Sequence, residues 1–372
     1  MKGICCTVLG CICLFLERAS GFLVSTPKYR VPTVVHSLTE PNVGAGNDEI
    51  LQDLMIDLES KEDGKNPNTA MLVDGDISLL TTEQIKVLQT DGVVQIDSVL
   101  SSNVTDALKD HFLEQKILAW FATIQAHVMD PIERYFYGGE TSETRCALQL
   151  SLLRGGFAAD NNRTCDSERH ILADSLLELF REDGTLRSIS EELITTEGVL
   201  LGMSALITEP GNDRENLSSD EFEGHYTISI ALEDVTYNMA PTNFLLGSHT
   251  EDGIIKNVDQ PSKAELRVST LKKGDAVVYD NRVLRSQSGN DAEKGSTSAV
   301  LNISLGTPAA KRNSSSVKSA NYLRPGYQNI LTLGDLEGAL NAYDNGDDNV
   351  FNKYGDGLEK QFENTQSEPE ET

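Results

Sequence analysis

The residues best suited to chemistry gather in the middle of this 372-residue chain. The stretch Thr208–Thr236, TEPGNDRENLSSDEFEGHYTISIALEDVT, carries a Pro-Gly turn, a polar loop ending in Asp220, and a strand pattern. A polar loop that delivers a carboxylate to the mouth of a β-layer is where a non-haem iron site would be built, because such metals take oxygen and imidazole ligands together. Two imidazoles lie close by in sequence, His225 and His249, and either one with Asp220 would supply part of a ligand set. Four cations, Arg214, Arg282, Arg285 and Lys294, flank the same region and together would suit a carboxylate or phosphate ligand. The alternative is that they pair with Asp213, Glu215, Asp275 and Glu293 beside them. His111 and His127 fall in a helical pattern, where a lone histidine is ordinarily a surface or packing residue.

The elements that must hold these groups are legible from periodicity. Tyr226, Ile228, Ile230 and Leu232 alternate with smaller residues, the mark of a half-buried strand. Further apolar runs at Val199–Ile207, Ala276–Tyr279 and Ala299–Leu305 are separated by Gly and Asn/Asp turns. The preceding half reads as helical. Thr81-Thr-Glu-Gln84 has the form of a capping box opening a helix that Gly92 ends. Val93–Ile96 is a short strand, and Val104, Leu108, Phe112, Trp120, Ile124 and Val128 mark a long amphipathic helix. A strand over Cys146–Leu153 and helices near Ile171–Phe180 and Leu186–Leu193 follow. Strands after a helical half predict an α+β, β-dominated fold: a β-sandwich or jelly roll with an N-terminal helical layer.

Composition narrows the rest. With 31 basic against 58 acidic residues, the net charge is −27, which repels nucleic acid and anionic membranes. Four of the six cysteines crowd into the N-terminal apolar run, and Cys146 and Cys165 have no Cys-x-x-Cys spacing, so neither a disulfide framework nor a zinc site is expected. Residues 1–21 read as a signal peptide, whose apolar run Ile4–Leu16 is too short to span a bilayer comfortably, with Ala19-Ser20-Gly21 as the cleavage site. The mature chain is therefore expected to lack an integral membrane segment. Residues 40–78 form an acidic linker in which Ile50, Leu51, Leu54, Met55 and Leu58 suggest one amphipathic helix packed on the domain surface. Residues 311–372 read as an extension, with a disordered acidic tail from about residue 343.

In order along the chain, several blocks resemble the phytanoyl-CoA hydroxylase (phytanoyl-CoA dioxygenase) family of iron and 2-oxoglutarate dioxygenases. Leu80-Thr-Thr-Glu-Gln-Ile through Asp91-Gly-Val-Val-Gln-Ile-Asp97 is like its opening helix and strand, Arg145-Cys-Ala-Leu-Gln-Leu150 like its second-strand block, and Ala205-Leu-Ile-Thr-Glu-Pro-Gly211 like the turn before its metal loop. Ala231-Leu-Glu-Asp-Val-Thr with Met239-Ala-Pro-Thr-Asn-Phe-Leu-Leu-Gly-Ser-His249 is very like its "ALxDVTxxMGPTxFLPGTH" block, and Lys273-Gly-Asp-Ala-Val-Val-Tyr-Asp280 with Arg282 matches the strand before its distal histidine. The resemblance implies a double-stranded β-helix over residues 79–310. Ala19-Ser20-Gly21-Phe22 likewise resembles the bipartite presequences of diatoms and related algae. That implies a transit peptide at 22–39 and a plastid destination, with secretion as the alternative.

The resemblance also implies a site that has changed. The family's His-x-Asp positions fall on Ser218, Ser219 and Asp220, its distal histidine on Arg285, and its cosubstrate arginine near Ser296, in a run whose cation is Lys294. Only Asp220 is kept. A serine hydroxyl is a poor ligand and a guanidinium has no lone pair to give. The expectation is that Arg285 enters the former metal position and pairs with Asp220, within a pocket of Ser218, Asp220, Arg282 and Arg285. No cofactor is then expected, and the protein binds a small anionic or lipid-like ligand or acts as a regulator. The alternative is an active oxygenase using iron(II) and 2-oxoglutarate on a lipid-like substrate, through a site rearranged around His225 or His249. Against that, His225 replaces an apolar family residue and His249 matches a family histidine that is not a ligand.

Overall fold

The structure is a computed structural model and describes residues 54, 56, 77–126, 144–150, 166–180, 185–220, 223–313, 331–347 and 350. Helix α1 (Ile77–Asp91) leads into β1 (Val93–Ile96), α2 (Ser102–Ala126) and β2 (Arg145–Leu150). Helices α3 (Asp166–Leu179) and α4 (Thr185–Ile194) precede β3 (Val199–Thr208) and β4 (His225–Ala231). Then come β5 (Thr242–Leu245), α5 (Glu251–Asp259), β6 (Leu266–Ser269), β7 (Ala276–Asp280), β8 (Arg285–Gln287), β9 (Ser298–Gly306), α6 (Pro308–Asn313) and α7 (Leu333–Asp344).

Two antiparallel sheets face each other. The larger has the order β1-β7-β4-β9-β3-β2 and the smaller β6-β5-β8. The smaller sheet is extended by the segment after β3, whose Glu215 amide donates to the Gln287 carbonyl at 2.9 Å and whose Ser218 bridges Arg285. This is a double-stranded β-helix, β-dominated within an α+β chain.

Period-two alternation sorts the larger sheet's side chains between two cores. On β4, Tyr226, Ile228 and Ile230 face the helices, where they meet Leu108 and Phe112 of α2 and Leu172 and Leu176 of α3. On β7, Ala276 and Val278 take that outer face, while Val277 turns inward to join Val93, Ala231, Val235, Phe244, Leu271 and Val283. Burying Phe112 completely contributes on the order of 1.5–3 kcal/mol, so α2 anchors the helical layer. Behind the smaller sheet, Leu245 and Leu266 pack with Leu54, while helical Ile56 is exposed.

Three expectations meet a different arrangement. Helix α1 begins at Ile77, so Thr81 sits within it and is no cap. The core does not stop at residue 310. Helix α7, opened by a capping box between Thr332 and Asp335, buries Leu333, Leu336, Ala339 and Leu340 against the helical layer. That layer is therefore built from both ends of the chain, and Val350 joins it inside the stretch read as tail. Residues 1–53, Cys165, His127 and the segment 351–372 lie outside the described residues.

Candidate functional site

Ser218 and Arg285 form one rung at the mouth of the barrel. The Ser218 amide donates to the Arg285 carbonyl at 2.8 Å, and the Arg285 amide returns the bond at 2.9 Å. Two residues on, the Asp220 amide donates to the Asn281 carbonyl at 2.8 Å, which fixes the polar loop against the turn between β7 and β8. Arg285 Nη2 then lies 3.6 Å from Asp220 Oδ2. Its Nη1 donates to the same Asn281 carbonyl at 2.7 Å, and the guanidinium carbon lies 5.2 Å from the centroid of the Tyr279 ring. The guanidinium is thus held by the Asn281 carbonyl, a longer bond to the Val283 carbonyl at 3.4 Å, one aromatic face and a single carboxylate oxygen. The fork-to-fork pairing that an Arg–carboxylate contact can form is absent here.

The other residues singled out from sequence are dispersed. Arg282 forks onto Asp280, Nε to Oδ1 at 3.0 Å and Nη2 to Oδ2 at 2.7 Å. Those hydrogen bonds raise its pKa, against burial, which lowers it. Asp275, a suggested partner for this cluster, instead accepts from the amides of Ser98 and Lys272. Glu215 pairs with Arg145, and Arg214 Nη2 reaches Ser286 Oγ at 3.5 Å. His249 is buried at the end of α1, with Nε2 3.1 Å from the Gln89 carbonyl. His225 is buried on β4; burial pushes its pKa down, against the pull of Asp220 and Asp280. Ser296 and Lys294 are exposed and do not line the cavity described next. His111 is buried on α2 beside Phe112, a packing position.

Between the sheets lies a cavity of about 170 Å³. Ser218 and Arg285 line it, whereas Asp220 and Arg282 do not. Sequence reasoning passed over Arg145, Tyr279 and the hydroxyl and amide groups of the smaller sheet that also line it. Arg145 carried a signal, as a lone cation opening an apolar strand. The smaller sheet carried none, since strands of three or four residues are too short to show a period.

A family model described as phytanoyl-CoA dioxygenase (PhyH) matches residues 88–291, more than half of the chain. The chain belongs to the phytanoyl-CoA dioxygenase family. Among solved structures it is similar to AviO1 from Streptomyces viridochromogenes Tue57, with 19% identity over 65% of this chain and 98% of that one, at a TM-score of 0.41. It is also similar to the non-heme alpha ketoglutarate dependent carbocyclase SnoK from nogalamycin biosynthesis, with 15% identity, 70% and 97% coverage and a TM-score of 0.42. A third is HygX from Streptomyces hygroscopicus with nickel, 2-oxoglutarate and hygromycin B bound, with 11% identity, 61% and 87% coverage and a TM-score of 0.38. A comparison with curated proteins finds no match.

Around the Ser218–Arg285 rung the side chains present do not fit a ferrous ion. Ser218 offers a neutral hydroxyl and Arg285 a cation, and neither donates a lone pair to iron(II) as imidazole does. Among the described residues no three His, Cys, Asp or Glu side chains converge as a metal cluster. His249 is committed to α1, and His225 does not line the cavity. Among the described residues, no helix is long and apolar enough to cross a membrane.

Proposed function

We propose that this member of the phytanoyl-CoA dioxygenase family keeps the barrel without the iron and 2-oxoglutarate chemistry, and binds a small ligand or acts as a regulator in the plastid. The observation carrying this reading is the Arg285 guanidinium, 3.6 Å from Asp220 and stacked over Tyr279. A fixed positive charge opposes a ferrous ion at the same carboxylate. The net charge of −27 argues for a partner that is neither nucleic acid nor an anionic membrane. The polar lining of the cavity favours a small polar ligand over the lipid-like one.

The test is the metal content of the purified chain, together with 2-oxoglutarate decarboxylation in the presence of added iron(II). The expected result is neither stoichiometric iron nor turnover above that of buffer. Stoichiometric iron that disappears in Asp220→Ala or His225→Ala would overturn the reading. The plastid assignment is tested separately, by fusing residues 1–39 to a fluorescent protein in an alga with a complex plastid. Secretion of the fusion would refute it.

A further inference from the structure

Two buried polar atoms on the smaller sheet meet no hydrogen-bond partner among the described residues: Ser269 Oγ and Gln287 Oε1. Ser269 is 4% exposed and Gln287 is 7% exposed, and both line the cavity. Thr242 stands between them, since it pairs with Ser269 of β6 on one side and Gln287 of β8 on the other. Directly opposed residues in an antiparallel ladder project to the same face. The three therefore form one polar row across this wall.

The larger sheet supplies a matching row. Ser229, Asn302 and Ser204 are opposed in register on β4, β9 and β3, and all three line the same cavity. Ser229 Oγ and Asn302 Oδ1 are already bonded to each other at 2.5 Å. Leaving a buried donor or acceptor unmet costs the desolvation of that group with nothing in return. Two such groups in one row of one cavity point to something that satisfies them.

The chemistry of that occupant follows from which atoms are left over. Gln287 Nε2 donates to the Ala240 carbonyl at 3.0 Å, so the side chain presents its oxygen, an acceptor. An ionised carboxylate has only acceptors and cannot satisfy it. Nor is there surplus positive charge for an anion. The two arginines lining the cavity are both matched, Arg145 by Glu215 and Arg285 by Asp220. Resting on the reading of a barrel without iron chemistry, we infer that the cavity binds a compact, neutral, hydroxyl-rich molecule, of the sugar or polyol class. Its hydroxyls donate to Gln287 Oε1 and exchange bonds with Ser269 Oγ between the two polar rows. The volume of about 170 Å³ exceeds the roughly 30 Å³ share of one water. It falls below the roughly 300–1,000 Å³ of pockets for drug-sized ligands, so the molecule is small.

Ligand-observed NMR and calorimetry on the full chain test this, with glycerol, erythritol and ribose as neutral probes and succinate, 2-oxoglutarate and inorganic phosphate as anionic ones. Binding of at least one neutral probe is expected. Gln287→Leu and Ser269→Ala should each weaken it by about tenfold, the loss of one satisfied buried hydrogen bond. Ser269→Ala removes a single oxygen, and its thermal unfolding confirms folding should Gln287→Leu not fold. Binding of the anions alone, binding unchanged in both variants, or no binding at all overturns the inference. The two readings fail separately. An iron-loaded chain that turns over 2-oxoglutarate sinks the loss of iron chemistry, whereas an iron-free chain indifferent to polyols sinks only the ligand class.

Discussion

Arg285 meets Asp220 through a single pair of atoms, Nη2 and Oδ2, 3.6 Å apart, while its other amino nitrogen serves the Asn281 carbonyl at 2.7 Å. The two side chains remain 18% and 29% exposed, so water screens their attraction. Pairs of this kind contribute between zero and about 1 kcal/mol. Asp220→Asn should therefore cost less than about 1 kcal/mol. Arg285→Ala also loses the carbonyl bond and the Tyr279 ring, and should cost about 1–2 kcal/mol. Urea denaturation of the two variants measures the difference. Equal losses would mean that the ion pair, and not the carbonyl and ring, holds the guanidinium.

If the barrel is intact and only its ligands have changed, the chemistry of metal binding should be recoverable. Ser218 and Arg285 exchange both backbone bonds, so side chains on that rung lie side by side with Asp220 two residues away. The double variant Ser218→His, Arg285→His should bind about one cobalt(II) per chain with the visible absorption of a mixed nitrogen and oxygen site. Asp220→Ala in that background should abolish it. A double variant that folds but shows no cobalt spectrum would mean the loop holds these positions apart.

The larger sheet could be read from sequence because its longer strands alternate or run apolar, and four-residue β1 is apolar but for Gln95. Tyr226, Ile228 and Ile230 do face the helices, and Val199–Thr208 extends one residue beyond the apolar run that announced it. The smaller sheet was invisible. Thr242–Leu245, Leu266–Ser269 and Arg285–Gln287 are short, and apart from Phe244 their inward residues are polar, Thr242, Ser269, Arg285 and Gln287 lining the cavity. Hydrophobic patterning fails where a wall faces a polar cavity. Helix α7 escaped notice for another reason: its capping box, Thr332 with Asp335, lies beyond a long stretch without periodicity. At the site, sequence could nominate Ser218, Asp220 and Arg285. Orphaned atoms such as Ser269 Oγ and Gln287 Oε1 emerge only when strands from distant parts of the chain are paired.

Two buried histidines set an expectation for pH. Burial pushes the pKa values of His111 and His225 below the usual imidazole value, and nearby acids oppose this only partly. The unfolded chain then binds protons more tightly than the folded one, so stability rises with pH between the folded and unfolded values. Their contribution is complete above about pH 6.5, the unfolded value, and is lost as pH falls from there. Urea denaturation at a series of pH values should show this slope, and His111→Gln should flatten it. A slope untouched in His111→Gln and in His225→Gln would assign the effect to carboxylates.

The Asp-Gly pair that ends α1 is a structural device, and its glycine should be the least replaceable in the domain's first half. Gly92 closes the helix through its amide to the Leu88 carbonyl at 2.8 Å, and its carbonyl accepts from the Asp280 amide at 2.9 Å. Its φ is +79°, and an added Cβ would stand 2.2 Å from Val283 Cγ2 and 2.6 Å from His249 Nδ1. Val283 is fully buried in the barrel and His249 is fixed to the Gln89 carbonyl, so neither can withdraw. Gly346 has a similar φ of +90° with nothing within 4 Å. Gly346→Ala thus isolates the backbone strain, about 1–2 kcal/mol. Gly92→Ala adds overpacking of about 1–3 kcal/mol to the same strain. Thermal unfolding should rank Gly92→Ala well below Gly346→Ala. Equal melting temperatures would mean that His249 and Val283 move aside, and that this corner of the barrel is softer than its packing implies.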